Sequence, residues 1–296
     1  MKKILYLFAI VTSFALFSCS SDDVAAVKPS DISNIRHEEQ AGAIKLMWDL
    51  PADKNLAYVQ VTYFDPLTKK DALRLASVYG DTLLIPDTRQ KYGDYNFTLQ
   101  AFSETETPGT ALDYTARSGA APTIIRVIDQ KQLQLSADGL FTDAQEPSEG
   151  PIANLLDGNS NTFFHARWSG GPTPLPHYIV VKLPKKIEAM SFEYTTRNAA
   201  AAGNHPKTMN IYVSNEFDGE TYDVSGLKLI DELDGMPNGA AQSFRSDEYV
   251  LGDAYEYVWL EVTETHGGTV FFAMSILNIN ELVLDVYDPE APTAED

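Results

Sequence analysis

The chain has little cysteine, few basic residues and no apolar run long enough to span a membrane, and each shortage excludes a class of protein. One cysteine among 296 residues excludes a fold held together by disulfides. Only 22 lysines and arginines stand against 42 acidic residues, so nucleic acid and anionic lipid headgroups are disfavoured as electrostatic partners. The apolar run at residues 4–17 is too short to cross a bilayer.

Motifs of common catalytic sites are also missing. The chain contains no Gly-x-Ser-x-Gly nucleophile turn, no His-Glu-x-x-His zinc pair and no glycine-rich phosphate loop. A glycosidase needs two carboxylates across a cleft, and neither Glu146 nor Glu149 has an evident partner in the sequence. We therefore predict that the protein is not an enzyme.

The N-terminus has the parts of a bacterial export signal. Lys2 and Lys3 precede the apolar run, and Cys19 follows it directly. Residues 16–18, just before this cysteine, resemble a lipobox, in which the cysteine is lipidated and becomes the first residue of the mature protein. Residues 1–18 are therefore predicted to be a lipoprotein signal peptide. The alternative is a secreted protein that is cut near the same place.

The segment after the cysteine is acidic and small. Residues 20–23 are two serines and two aspartates, which resemble the acidic tether of Bacteroides-type surface lipoproteins. We interpret residues 19–29 as the lipidated cysteine and its tether. This interpretation predicts an outer-membrane protein that is exposed at the cell surface and touches the membrane only through its lipid anchor.

Short segments that alternate between apolar and polar residues follow the tether and predict strands with one buried face. They are residues 44–48, 58–63 and 96–102. With Trp48 as a core residue and Tyr95 at the position of a tyrosine corner, residues 30–120 resemble a fibronectin type III sandwich.

A second set of strands follows a hinge of small residues at 118–122. The predicted strands are residues 178–183, 190–195, 209–213 and 257–262. No helical apolar stripe persists after residue 124, so the fold class is all-β throughout. Function in such sandwiches is carried by the loops at their ends.

The most informative motif is the oxygen-rich loop at residues 157–162, which aromatic residues follow. Asp157, Asn159 and Thr162 offer a carboxylate, an amide oxygen and a hydroxyl around the turn-forming Gly158. Ca²⁺ prefers such mixed oxygen ligands in a tight loop. An ordinary Asx-rich turn without a metal is the alternative, because Asp-Gly and Asn-Ser are common turn formers.

Several motifs of the second half together resemble one family, the F5/8 type C or discoidin domain. They are residues 154–165, 176–181, 210–215 and 279–282. The resemblance is closest to the galactose-binding carbohydrate module of family 32. It implies that residues 124–288 form a discoidin-like jelly-roll β-sandwich, and we interpret residues 289–296 as an acidic tail.

The resemblance implies a structural Ca²⁺ that joins the loop to the last strand. Its implied ligands are Asn154 through its carbonyl, Asp157, Asn159, Thr162, Glu281 and the carbonyl of Asn280. An unpaired carboxylate at Glu281 would be costly to bury in its apolar surroundings. The alternative is an exposed glutamate at a strand edge.

The resemblance also implies a sugar site, in which an aromatic ring stacks on the sugar and polar groups bind its hydroxyls. The candidate residues are His165, Trp168, Arg197, Asn204, His205, His266 and Phe271. Each has a structural alternative. His165 would be a buried, hydrogen-bonded histidine, Trp168 a core residue, and Arg197 the partner of a surface carboxylate.

These patterns predict a surface-tethered, non-catalytic lipoprotein that captures galactose-configured glycans through its second domain. Its expected partners are the glycan and neighbouring surface proteins of glycan uptake. The alternative is an adhesin or assembly component whose discoidin-like loops bind a protein, because one fold can serve both purposes.

Overall fold

The computed structural model describes residues 26–52, 55–199 and 203–292, and its regular structure is almost entirely β. Two compact units are present: unit 1 runs to Thr123 and resumes at Asp288, and unit 2 is Ile124–Tyr287. The predicted all-β class is confirmed. The predicted signal peptide and Cys19 lie outside the described residues. Within the described ranges, no helix has the length and apolarity needed to cross a bilayer.

The described part of unit 1 contains seven strands in two sheets. They are β1 (Ser33–Gln40), β2 (Ala43–Asp49), β3 (Tyr58–Asp65), β4 (Lys70–Ser77), β5 (Thr82–Ile85), β6 (Asp94–Phe102) and β7 (Pro108–Arg117). The orders are β1-β2-β5 and β4-β3-β6-β7, and all neighbours are antiparallel. The three segments predicted from alternation lie within β2, β3 and β6. Their apolar faces meet in one core around Trp48, which is fully buried.

Tyr95 has the contacts that a tyrosine corner predicts. Its hydroxyl accepts a hydrogen bond from the Arg89 backbone N–H at 2.8 Å and lies 3.2 Å from the Arg89 carbonyl. These contacts hold the 3-10 turn Gln90–Tyr92 against the start of β6. The corner therefore fixes the loop that joins the two sheets of unit 1.

The segment after unit 2 returns to unit 1, so part of the predicted acidic tail is an element of that unit. The Glu290 carboxylate accepts backbone N–H groups from Gln90 at 3.1 Å, Lys91 at 2.8 Å and Ala121 at 2.7 Å. Burial alone raises the pKa of Glu290, but these three donors and the nearby Arg89 charge bring the pKa below its usual value.

Unit 2 contains nine strands. They are β8 (Ile124–Gln132), β9 (Leu140–Phe141), β10 (Phe164–His165), β11 (His177–Thr196), β12 (Pro206–Ser214), β13 (Lys228–Asp234), β14 (Ser243–Arg245), β15 (Tyr249–Thr265) and β16 (Ala273–Tyr287). The main order is β10-β16-β11-β15-β12-β13, with β8 on β16 and with β9 and β14 on β11. Two 3-10 turns, Ala137–Gly139 and Ile152–Leu156, lie between the first strands.

The strand β11 corrects one expectation, because the predicted strands 178–183 and 190–195 are parts of one 20-residue strand. The pairing with β15 shifts register between Lys182 and Ile187, around Pro184. Proline has no N–H to donate, so it is found at such irregular positions. From Met190 onward β11 pairs with β16, so this one strand joins β15 to β16 in the sheet.

The two faces of β11 pack into different clusters. Ile179 and Val181 face the main core of unit 2, whereas Tyr178 and Val180 face a second, aromatic cluster with Trp259. Period-two alternation explains this division. The segment between β12 and β13 covers the second cluster with Phe217, Tyr222, Val224 and Leu227.

A buried carboxylate lies within the aromatic cluster. Glu261 is 6% exposed and accepts hydrogen bonds from the hydroxyls of Tyr178 and Tyr212, each at 3.0 Å. The Asn210 side-chain amide donates a third bond at 2.8 Å. These three donors compensate for the lost hydration of the charge.

Candidate functional site

His165 occupies a structural position rather than a ligand-facing one. It lies in β10, which pairs with β16, and only 4% of its surface is exposed. Its Nδ1 donates to the Ala166 carbonyl at 2.7 Å, and its Nε2 accepts from the Asn204 amide at 3.1 Å. Both ring nitrogens are therefore engaged within the protein, and the direct sugar contact predicted for His165 is not available in this arrangement.

Five side chains form what we name the Arg197 cluster: Phe163, His165, Arg197, Asn204 and Phe271. The Arg197 guanidinium carbon lies 3.8 Å from the centre of the Phe163 ring. The His165 ring lies 6.0 Å from Phe163 and 5.6 Å from Phe271, measured between ring centres. The structure thus brings together four predicted sugar residues and adds Phe163, which the sequence had placed only next to the metal loop.

Trp168 is exposed at the surface, which excludes the alternative of a core residue. Its relative exposure is 45%, and its indole N–H donates to Glu149 Oε1 at 3.0 Å. An exposed indole held by a hydrogen bond is a flat apolar surface in a defined orientation. Such a surface is suited to stacking against a ligand.

Glu146 holds the backbone on which Trp168 is mounted. Only 2% of this residue is exposed. Its Oε2 accepts the backbone N–H groups of Trp168 and Ser169, each at 3.1 Å. Its Oε1 accepts the hydroxyls of Ser148 at 2.6 Å and Ser169 at 2.8 Å, together with the Ser148 N–H at 3.2 Å.

These hydrogen bonds determine the charge of Glu146. Burial alone raises the pKa of the Glu146 carboxyl, but hydrogen bonds from Ser148, Ser169 and Trp168 outweigh burial and lower the pKa to about 2. No signal in the sequence indicates this role, because Glu146 and Trp168 are 22 residues apart and meet only through the fold.

His205 and His266 do not present free imidazoles to a ligand. His205 is fully buried, and burial lowers its pKa, so the neutral form is favoured. His266 is half-buried, and its Nε2 donates to the Met236 carbonyl at 2.7 Å. The prediction that His205 contacts sugar is therefore corrected, and His266 acts first as a tie to the loop that carries Met236.

The Asp157 loop, residues 157–162, forms a closed Asx turn after the 3-10 turn Ile152–Leu156. Asp157 accepts the Asn159 backbone N–H at 2.8 Å and the Thr162 hydroxyl at 2.5 Å. Gly158 has a φ of +70°, which favours glycine at the centre of this turn. The Asn154 side-chain amide donates to the Phe163 carbonyl at 3.0 Å. The loop thus brings together Asp157, Asn159 and Thr162, which are three of the six predicted metal ligands.

Two of the other three predicted ligands, Asn280 and Glu281, lie on β16. The Glu281 carboxylate accepts the Lys185 ammonium at 2.7 Å, and Asn280 is buried. A cavity of about 160 Å³ is bordered by Gly158 and by Asn278. Glu281 lies three residues beyond Asn278, which is about 10 Å along a strand at about 3.3 Å per residue. Glu281 is therefore offset along β16 from the residue that borders this cavity, and its carboxylate pairs with Lys185.

The arrangement fits a cation with only one carboxylate ligand. Asp157 is the one acid in its loop, and no three His, Cys, Asp or Glu side chains of the described residues meet in a metal-binding group. The remaining oxygens are amide, hydroxyl and carbonyl groups. Calcium sites with few charged ligands are the weak ones.

The Asp157 loop also supports the Arg197 cluster. The Ser160 carbonyl accepts the Asn198 backbone N–H at 3.2 Å and the Ser275 hydroxyl at 3.2 Å. The Asn198 amide donates to Asn161 Oδ1 at 2.8 Å. A change in the loop would consequently be transmitted to the residue next to Arg197.

Part of unit 2 matches one family model. Residues 141–268 match the model of the F5/8 type C domain, and this range includes the Asp157 loop, Trp168 and Arg197. A comparison with curated proteins finds no match.

Several solved structures resemble parts of the chain. A family 32 carbohydrate-binding module of Clostridium perfringens NanJ, in complex with galactose, is 21% identical, with 52% of this chain and 100% of that chain covered and a TM-score of 0.39. A SusE-like protein is 13% identical over 84% of this chain and 96% of its own, with a TM-score of 0.40. A fibronectin type III domain of human collagen α-1(XX) is 16% identical over 34% of this chain and 93% of its own, with a TM-score of 0.28.

Proposed function

Because residues 141–268 match the F5/8 type C domain, we propose that unit 2 binds carbohydrate and that the protein is not an enzyme. The ligand is a galactose-configured sugar on a surface glycan. The protein is anchored at the outer membrane through a lipid on Cys19 and retains glycans for neighbouring uptake proteins. The configuration of the sugar and the anchor rest on the sequence resemblances alone.

The observation that carries this proposal is the exposed and immobilised indole of Trp168. Glu149 fixes the indole N–H, and Glu146 fixes the backbone N–H of the same residue. A sugar ring presents C–H groups on one face, which pack against an aromatic ring with little loss of side-chain entropy when the ring is already held.

Arg197 supplies the polar part of the proposed site. Its guanidinium is half-exposed and stacks on Phe163, so its orientation is defined while its N–H groups keep access to a ligand. Arginine has five N–H donors and no acceptor, which suits sugar hydroxyl and ring oxygens. His165 acts indirectly in this proposal, because it holds Asn204 in place.

A second candidate function is protein binding by the same loops. The burial of His165, with both ring nitrogens engaged, favours this candidate because it removes a polar group that a sugar site would use. The exposure of Trp168 suits either ligand. Sugar binding is the function that the exposed indole of Trp168 and the half-exposed Arg197 support best.

We also propose a weak Ca²⁺ site in the Asp157 loop, formed by Asp157, Asn159 and Thr162 with the Asn154 carbonyl. Glu281 is not part of this proposal, because its carboxylate pairs with Lys185. The ion would supply charge that holds the loop, and through Asn198 it would steady the backbone next to Arg197. Its role is stability rather than catalysis.

A glycan array followed by titration calorimetry tests the proposed function, with the chain from Ala26 onward as the sample. A single shallow site predicts a Kd of about 0.1–1 mM for a galactose-containing glycan. We expect Trp168→Ala to weaken binding at least about tenfold, or about 1.4 kcal/mol. The matched control is Tyr79→Ala, which removes a 94% exposed aromatic from unit 1 and should leave the Kd unchanged. Unchanged affinity in Trp168→Ala with intact folding would overturn the proposal.

A further inference from the structure

A cavity of about 400 Å³ is lined in part by Glu149, the residue that holds the Trp168 indole. Gln145, Glu146, Pro147, Glu149, Pro151 and Ala153 are among the residues that line it. Glu149 is common to both features, since its Oε1 accepts the indole N–H at 3.0 Å and its side chain borders the cavity. The cavity and the indole are therefore two adjacent parts of one surface.

The walls of this cavity are held by internal hydrogen bonds. The Gln145 amide donates to the carbonyls of Glu146 at 2.9 Å and Gly150 at 3.0 Å, and its Oε1 accepts the Ile152 N–H at 2.9 Å. The Glu146 carboxylate is satisfied by the five bonds described above. A ligand would consequently meet a preformed shape and would not have to order a loop on binding.

Glu149 is the polar group of the cavity with capacity for a ligand. It is exposed, and a carboxylate has acceptor positions beyond the single bond to the indole. Two prolines and an alanine supply apolar wall beside it. The described lining includes two carboxylates and no lysine or arginine, so an acidic ligand would be repelled.

We propose that this cavity is a second subsite, which takes a neutral sugar unit next to the unit stacked on Trp168, with Glu149 accepting a hydrogen bond from one of its hydroxyls. The inference rests on the proposed function, and it specifies the length of the sugar ligand and its lack of charge. The preferred ligand is thus a neutral oligosaccharide of at least two sugar units. Glu149 both orients the indole and accepts a hydrogen bond from the neighbouring sugar unit.

The test compares sugars of different length by titration calorimetry on the chain from Ala26 onward. We expect a neutral galactose-containing trisaccharide to bind about tenfold more tightly than free galactose, and 3′-sialyllactose to bind no more tightly than galactose. Ala153→Trp fills the cavity from an exposed position and should abolish the tenfold gain in affinity for the trisaccharide. Its Kd for galactose should stay within about twofold of the wild-type value. Ala153→Ser is the matched control and should keep the gain.

Pro147→Trp, at another exposed wall position, should give the same result and serves if Ala153→Trp does not fold. Equal affinity of the wild type for galactose and the trisaccharide would overturn the subsite alone. A tenfold gain that persists in the folded tryptophan variant would also overturn it. Failure of every sugar to bind would overturn the proposed function together with the subsite.

Discussion

Calcium addition is the perturbation that separates the two accounts of the Asp157 loop. A structural Ca²⁺ with ligands at both Asp157 and Glu281 is what the sequence resemblance implies, whereas the structure supplies one carboxylate at the loop and pairs Glu281 with Lys185. A single-carboxylate site belongs with the weak extracellular class, whose Kd is about 10⁻⁴–10⁻³ M.

The expected size of the effect follows from mass action. With about 10 mM free Ca²⁺, binding to the folded state alone adds RT ln(1 + [Ca²⁺]/Kd), which is about 1.4–2.7 kcal/mol. For a unit of this size, each kcal/mol raises Tm by about 2–4 °C. Calorimetric melting of the chelator-treated protein should therefore show the unit 2 transition rise by about 3–11 °C.

Two variants locate the ion. Asp157→Asn should abolish the shift, because it removes the only carboxylate of the loop. Glu281→Gln should lower the starting Tm by loosening its pair with Lys185 but leave the Ca²⁺-induced shift intact. The reasoning is refuted if Ca²⁺ does not raise the Tm of the wild type. It is also refuted if Glu281→Gln loses the Ca²⁺-induced rise in Tm, because Glu281 would then be a ligand of the ion.

Three further predictions concern the His177–Asp143 pair, the buried carboxylate of Glu261 and the half-exposed Arg197. Burial alone lowers the pKa of His177, but the 2.7 Å hydrogen bond and the charge of Asp143 raise it above its usual value. The protonated His177 therefore stabilises the folded state fully below the unfolded pKa of about 6.5, and this contribution is lost as pH rises through the folded pKa. Urea denaturation from about pH 5 to 9 should show a free energy of unfolding that declines in the wild type, and His177→Asn should lack this decline. Glu261→Leu leaves three donors without an acceptor and should lower the free energy of unfolding by about 3–5 kcal/mol, measured by urea denaturation. Glu261→Gln should lower it by less, and an equal loss in the two variants would contradict this account. Arg197→Ala should weaken sugar binding at least about tenfold yet lower stability by only about 0.5–1 kcal/mol, the value of its stacking on Phe163; intact affinity in calorimetry would remove Arg197 from the site.

The strands were accessible to sequence reasoning because alternation is a local property. The segments 44–48, 58–63 and 96–102 lie within observed strands, and Trp48 is buried as expected. The joining of 178–183 and 190–195 into one strand was not accessible. Pro184 suggests a break between two strands, but the strand continues because the pairing of β11 with β15 shifts register around this proline.

Site residues were predicted less evenly, because residue type does not reveal the direction of a side chain. His165 lies in the predicted region, but its nitrogens bind Ala166 and Asn204. Glu146 and Glu149 had no partner in the sequence, and both contact Trp168, from which they are separated by 22 and 19 positions. Long-range hydrogen bonds of this kind carry no periodic signal.

The amino-acid sequence by itself determined the all-β class and the positions of the alternating strands of unit 1. These follow from alternation, turn residues and composition, which act between near neighbours in the chain. Only the tertiary structure decided that Trp168 is exposed, that His165 is buried and that Glu281 pairs with Lys185. Such outcomes depend on which strands pair and in which register, and a shift of one residue reverses the face to which every side chain points.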